Sequence, residues 1–172
     1  MSTRGMSRTQ RLQLDRFLPY RLSVLANVVS TAIAGAYQQR FGLTIPEWRV
    51  LAVLASTPDL SAAEVAQRTA MDKVAVSRAV SSLLRAGRLE RRVAANDRRR
   101  SLLRLSPAGH RVYSQVVPFA LRYECELIRP LSERERAVLD RVLRVLLGRA
   151  AEIGPVHAEG ASPANRGRGQ GL

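Results

Sequence analysis

One cysteine and two histidines are the whole stock of metal-seeking and redox-active side chains in a chain of 172 residues. Cys125 alone makes no internal disulfide. With only His110 and His157 beside it, there is no four-ligand zinc site and no histidine-based catalytic triad to assemble. Long apolar runs are missing as well. None reaches the roughly 18 residues a bilayer span needs, and MSTRGMSRTQR at the start is followed by no short apolar core with a small-residue cleavage site. A cytoplasmic protein without membrane contact is expected. Paired carboxylates at a workable spacing, a nucleophile with its base, and a Gly-rich phosphate loop are all absent, so no enzyme, no catalytic residue, no cofactor and no metal are expected.

Acid is scarce too. Fourteen Asp and Glu face 28 Lys and Arg, a net charge of +14, and only Lys73 is a lysine. So large an excess on so small a body calls for a polyanion, nucleic acid ahead of a membrane surface. The remaining composition, 46% hydrophobic and 24% charged, is that of a folded globular chain, and its length fits one ordinary domain or a small domain with helical extensions.

Both ends are poor in large apolar residues. Residues 1 to 11 are polar and basic, and 154 to 172 hold five glycines and two prolines, so both are expected to be disordered tails. Between them the period is mostly helical. Leu22, Leu25, Val29, Ile33, Ala36 and Tyr37 share one face of a helix from about Pro19 to Phe41, which Gly42 ends. Three capping boxes, Thr44 with Glu47, Ser61 with Glu64 and Ser132 with Glu135, predict helix starts for segments 45–56, 61–70 and 132–150. Asp72 caps a further helix to Ala86, closed by Gly87. The period then changes to two: Leu89, Arg91 and Val93, and later Leu103 and Leu105, predict two short strands around a polar loop Ala94 to Arg100. Ser106 and Pro107 open a long helix to about Arg129, with Pro118 expected to kink it.

The order helix, helix, short turn, helix, basic hairpin is that of a winged helix-turn-helix, whose second helix of the turn enters the DNA major groove while the hairpin reaches the adjacent backbone or minor groove. The fold class expected is therefore mainly α, with a two-stranded wing and long flanking helices. On the helix 72–86, Val76, Val80, Leu83 and Leu84 form the core face. The opposite side carries Val74, Ala75, Arg78, Ser82 and Arg85 and no acid. Arginine suits phosphate or guanine there, and small apolar groups suit thymine methyls. From Arg85 to Arg104 eight arginines stand against Glu90 and Asp97, an excess of six charges in twenty residues. In a hairpin loop, Arg98, Arg99 and Arg100 are placed to enter a narrow minor groove.

LTIPEWRVLAVL, LSAAEVAQRTAMDKVAVSRAVSSLLRAGRLERR and NDRRRSLLRLSPAGH together resemble the MarR (multiple antibiotic resistance regulator) family of bacterial transcription factors, over residues 17 to 153. Asp97, Arg99, Leu105, Ser106 and Gly109 stand at the family's D-x-R, L-[ST] and G positions. The resemblance implies a homodimer on a palindromic operator in double-stranded DNA. Its dimerisation helices would lie at 12–43 and 107–153, around a DNA-binding lobe at 44–106. It also implies that Arg99 enters the minor groove with Asp97 holding it, and that Lys73, Val74, Ala75, Ser77 and Arg78 approach bases and phosphates. Val74 and Ala75 stand where members often carry Ser or Thr, which shifts weight from helix readout to the wing. Trp48 and Arg49, with Phe17, Tyr20 and Tyr37, fall near the cleft where members bind small phenolic or aromatic-carboxylate effectors. Cys125, flanked by Glu124 and Glu126, reads as an inert interface cysteine. The function expected is a sequence-specific dimeric repressor released by a small ligand; the alternative is a non-specific or architectural nucleic-acid-binding protein.

Overall fold

The computed structural model describes residues 11–94 and 97–154, and side chains outside the 94–100 segment. The tails expected at 1–11 and 154–172 lie outside it except for their innermost residues. The elements run α1 Leu18–Phe41, α2 Ile45–Ser56, α3 Ala62–Thr69, α4 Lys73–Arg85, β1 Leu89–Ala94, β2 Asp97–Leu105, α5 Pro107–Ile128 and α6 Glu133–Ile153.

Local chemistry sets most of these boundaries. In all three capping boxes the glutamate carboxylate accepts the cap residue's own N–H, at 2.7 Å for Thr44 and Glu47, 2.7 Å for Ser61 and Glu64, and 2.8 Å for Ser132 and Glu135. Each such cap contributes about 1 kcal/mol. Helix α4 begins where the Asp72 carboxylate accepts the N–H groups of Val74 and Ala75, at 2.9 and 2.8 Å. It ends in a Schellman motif: Gly87 takes φ +64°, its N–H reaches the Leu84 carbonyl, and the Arg88 N–H reaches that of Leu83. Gly42, at φ +61°, closes α1 in the same left-handed conformation.

The hairpin departs from expectation. The segment Ala94 to Arg100, expected as a loop, is largely strand: β2 begins at Asp97, Ala94 pairs with Asp97, and an irregularity falls between Val93 and Ala94. Alternation of apolar side chains marks a strand only where one face is buried, and Arg98 to Ser101 carry no apolar side chain at all. Farther in, Leu89 pairs with Leu105 and Arg91 with Leu103. The loop before α3 adds a short third line, with the Asp59 N–H donating to the Leu103 carbonyl and the Leu103 N–H to that of Leu60.

One apolar core holds the lobe together. Val50, Leu51 and Leu54 of α2, Val65 and Ala66 of α3, and Val76, Ala79, Val80 and Leu83 of α4 meet there with Leu89, Leu103 and Leu105 of the hairpin. Ala34 and Tyr37 of α1 and Val116 of α5 close it. Val76, Val80 and Leu83 face inward as the helical period requires, and Leu84 packs partly buried against them. Full burial of each large side chain contributes about 1.5–3 kcal/mol.

The chain forms two compact units, up to Cys125 and from Glu126 onward. In the second, α6 has no buried residue: Val138, Leu139, Val142, Leu143, Val145 and Leu147 are all at least 38% exposed. Cys125 is exposed in the single chain.

The junction of β2 with α5 is the tightest approach. The Ser106 N–H donates to the Arg88 carbonyl at 3.0 Å, and the Ser106 hydroxyl donates to the Gly87 carbonyl at 2.6 Å while accepting the Gly109 N–H at 3.0 Å. A Cβ on Gly109 would stand 2.0 Å from the Arg88 carbonyl oxygen. Gly109→Ala is therefore expected to lower stability by about 1–3 kcal/mol or more through overpacking against backbone that cannot yield. Thermal unfolding of the variant reports this, and an unchanged midpoint would show that the junction relaxes freely.

Candidate nucleic-acid interface

Helix α4 presents its outer face because its inner one is locked into the core. Lys73, Val74, Ser77, Arg78, Ser81 and Arg85 are exposed, Val74 at 59%, whereas Ala75 and Ser82 are half-buried and turn toward α2. The period that puts Arg78 and Arg85 outward also puts Ser81 there, beyond the residues expected on that face. No acid lies in α4 itself, and neither Arg78 nor Arg85 has an ion-pair partner among the described residues.

Ala75, Arg78, Ala79, Ser82 and Arg85 line one wall of a groove of about 520 Å³, and Thr44, Pro46 and Glu47 of the α2 start line the other. Glu47, read from sequence only as a capping residue, is 7% exposed. Burial pushes its carboxyl up, but hydrogen bonding from Ser82 and from the Thr44 backbone and hydroxyl, with Arg88 nearby, more than offsets this and leaves it below the usual glutamate value. The groove thus holds one buried, well-partnered carboxylate beside two guanidinium groups that have no ion-pair partner among the described residues.

The wing arginines do not act alike. The Arg88 guanidinium donates to the Phe41 carbonyl at the end of α1. Arg104 makes a two-point contact with Asp59, Nε donating to Oδ1 at 2.9 Å and Nη2 to Oδ2. These two of the eight cations between Arg85 and Arg104 bind the protein's own oxygens, a use no local sequence pattern signals because the partners stand 47 and 45 positions away. Asp97, Arg98, Arg99 and Arg100 lie on the outer part of β2, and their side chains lie outside the described residues.

Three of the expected effector-site residues come together. Tyr37 stacks on Trp48 with ring centroids 5.6 Å apart, and Trp48 stacks on Tyr113 of α5 at 5.7 Å. The Arg49 guanidinium donates to the Ser30 hydroxyl at 3.1 Å. Burial pushes the Tyr37 hydroxyl up to about 12, the Arg49 charge opposing it in part. Phe17 and Tyr20, 40% and 45% exposed, do not join this cluster. Tyr20 precedes Tyr37 by seventeen residues on one helix, about 25 Å at the helical rise. Tyr113 and Ser30 add to the residues expected here; the helical period of α5 carries a signal for Tyr113, and none marks Ser30.

A three-helix lobe with its third helix outward and a cationic hairpin beside it defines the winged helix-turn-helix class. The family model described as MarR family matches residues 41–100. The chain is 27% identical over 111 residues to a putative transcriptional regulatory protein for the hcr operon of Thauera aromatica, an overlap of 64% of this chain and 67% of that one. It is similar in structure to a MarR/EmrR family transcriptional regulator from Acinetobacter sp. ADP1, with 29% identity, a TM-score of 0.75, and coverage of 82% of this chain and 99% of that one. It is also similar to the PcaV transcriptional regulator of Streptomyces coelicolor, solved with its natural ligand, with 27% identity, a TM-score of 0.63, and coverage of 81% and 98%. The winged-helix lobe of this chain thus resembles the MarR family over residues 41–100, and its fold is similar to that of solved MarR-family transcriptional regulators. No helix among the described residues is long and apolar enough to cross a membrane.

The depressed Glu47 carboxyl fixes the sign of a pH effect. A group held below its unfolded value stabilises the fold fully above that value, 4.5 here, and the contribution is lost as pH falls through the folded value. Glu47→Gln keeps a capping amide. Its urea midpoint is expected to lie below wild type at pH 7 and to converge with it as the pH is taken down toward 3. A constant gap across that range would mean the charge of Glu47 does not contribute.

Proposed function

We propose that the chain is a homodimeric, sequence-specific repressor that binds a palindromic operator in double-stranded DNA in the cytoplasm and is released by a small anionic aromatic ligand. The observation that carries DNA recognition is the outer face of α4: an acid-free row of Val74, Ser77, Arg78, Ser81 and Arg85 standing clear of the lobe, with both arginines unpaired among the described residues. Lys73, Val74, Ala75, Ser77, Arg78 and Arg85 approach the major groove, Ser82 sits at the edge beside Glu47, and Arg98, Arg99 and Arg100 approach the minor groove with Asp97 orienting Arg99.

Dimerisation is supported by surface chemistry. A 21-residue helix without a buried residue lacks the tertiary packing of an apolar face on which most helices in proteins depend. The apolar side chains of α6, together with Leu18, Leu22, Leu25 and Val28 of α1, offer more exposed surface than an isolated monomer tolerates. Segments 12–43 and 107–153 supply these helices and 44–106 the DNA lobe. Tyr37, Trp48 and Arg49 join aromatic faces to a cation, the composition an aromatic carboxylate requires.

Selection of duplexes from a random pool by the purified protein tests the whole reading. A palindrome should emerge, bound about 10³-fold or more above random duplex, by a dimer in sedimentation. A monomer, or a pool without enrichment, would instead support the non-specific alternative to which the +14 charge alone points.

Individual side chains are separable in the same assay. Arg78→Ala and Arg99→Ala should each cost about 1–3 kcal/mol on the palindrome, and Arg141→Ala on α6 should cost little. Asp97→Asn removes a charge that repels DNA, so charge counting favours tighter binding. As the residue orienting Arg99 its loss should instead weaken palindrome binding while random-duplex binding holds or tightens. Equal effects on both duplexes at every salt concentration would remove the role assigned to Asp97.

A further inference from the structure

The ion pair between Asp59 and Arg104 joins two parts of the lobe that the sequence keeps 45 residues apart: the loop that opens α3 and the inner end of β2. Asp59 holds φ +63°, a left-handed conformation that aspartate tolerates better than most side chains. That conformation lets its backbone and side chain grip the same strand. The N–H donates to the Leu103 carbonyl at 2.9 Å while the carboxylate takes both arms of the Arg104 guanidinium. Leu103 and Leu105 on either side of Arg104 are buried in the core, so the strand has one free direction of tilt, and Arg104 lies on it. Glu90 stands opposite Arg104 in the ladder, and Arg92 adds positive charge near Asp59.

Stability does not account for this arrangement. The two side chains are 29% and 37% exposed, and ion pairs that wet add little to the folded state. A two-point arginine contact does fix an angle, because the planar fork meets both carboxylate oxygens at once. Arg99 lies five residues farther along β2, about 17 Å at the rise of a strand, so a 10° tilt at Arg104 displaces the outer strand by about 3 Å. That distance exceeds the tolerance of a hydrogen bond.

We propose that Asp59 and Arg104 form a positioning pair at the root of the wing, which sets the angle of the hairpin to the lobe and through it the sequence specificity of DNA binding, without themselves touching DNA. This rests on the reading of the lobe as a DNA-binding one. It assigns Arg104 a role opposite to the one charge counting gives it: the guanidinium matters for its shape, not for its attraction to phosphate.

Arg104→Lys separates the two, because it keeps the charge and loses the fork. The full-length wild type first selects its palindrome from a random pool. Affinities for that palindrome and for random duplex are then measured over a salt series for Arg104→Lys, Asp59→Asn and the double variant. Each single change is expected to weaken palindrome binding about tenfold. Random-duplex binding should stay unchanged for Arg104→Lys and stay equal or tighten for Asp59→Asn, and the double variant should be no worse than either single one. Asp59→Gly, which keeps the left-handed backbone at no steric cost, should behave as Asp59→Asn and guards against loss of fold in the latter. An unchanged ratio between the two duplexes overturns the proposal. So does a parallel loss on both, which would make the pair a structural support, and so does full retention in Arg104→Lys with loss on both duplexes in Arg104→Ala, which would make Arg104 a phosphate contact. A wild type that selects no sequence fails the underlying DNA reading before any variant is compared.

Discussion

Most of the lobe depends on one backbone oxygen, the carbonyl of Arg88. It accepts the Ser106 N–H and lies against the bare Cα of Gly109, so α5 can start only where β1 has just begun. The same residue's N–H completes the turn that ends α4, and its side chain holds the last carbonyl of α1. Four elements are fixed in direction by one residue. The apolar core supplies the stability, but burial is non-directional and does not choose among the many angles at which helices can pack. The polar contacts at Arg88 choose.

The excess of arginine looks uniform in composition and is not uniform in structure. Arg88 and Arg104 serve internal oxygens, and Arg49 serves Ser30. Arg129, Arg144 and Arg149 pair with acids three or four residues away along exposed helix, contacts of little energetic weight. Arg78 and Arg85 have no ion-pair partner among the described residues, and they line a groove whose one carboxylate is already engaged. Cations without a partner among the described residues, on a helix whose inner face is locked into the core, form a pattern in space, whereas +14 by itself is only a quantity.

The sequence made helix boundaries legible wherever a side chain caps a backbone group, because that signal is local. Thr44, Ser61, Asp72 and Ser132 mark starts within a residue of those found. The inward face of α4 was legible for the same reason, since its period is written in thirteen consecutive residues. The length of β2 was not, because a polar strand pairs through backbone atoms that every residue has. Glu47 showed only its capping role, since its place beneath α4 follows from the packing of two helices and not from the residues around it. The ties of Arg88 to Phe41 and of Arg104 to Asp59 were hidden likewise: an arginine whose partner is far along the chain looks the same in sequence as one that waits for an anion. The aromatic stack was half visible, Tyr37 and Trp48 by type, Tyr113 only once α5 was seen to lie against α2.

Arginine is nearly the sole carrier of positive charge here, and this gives the exposed first residue of α4 a singular standing. Lys73 holds the only side-chain amine in the chain, one residue after the carboxylate cap of the helix that faces outward. Guanidinium groups ignore acylating reagents at neutral pH, whereas an amine accepts them. Amine chemistry applied to the folded protein therefore reports on a single side-chain address, at the mouth of the proposed reading helix. Whatever covers that helix shields the amine from the label, so occupancy can be followed by mass without substituting a residue.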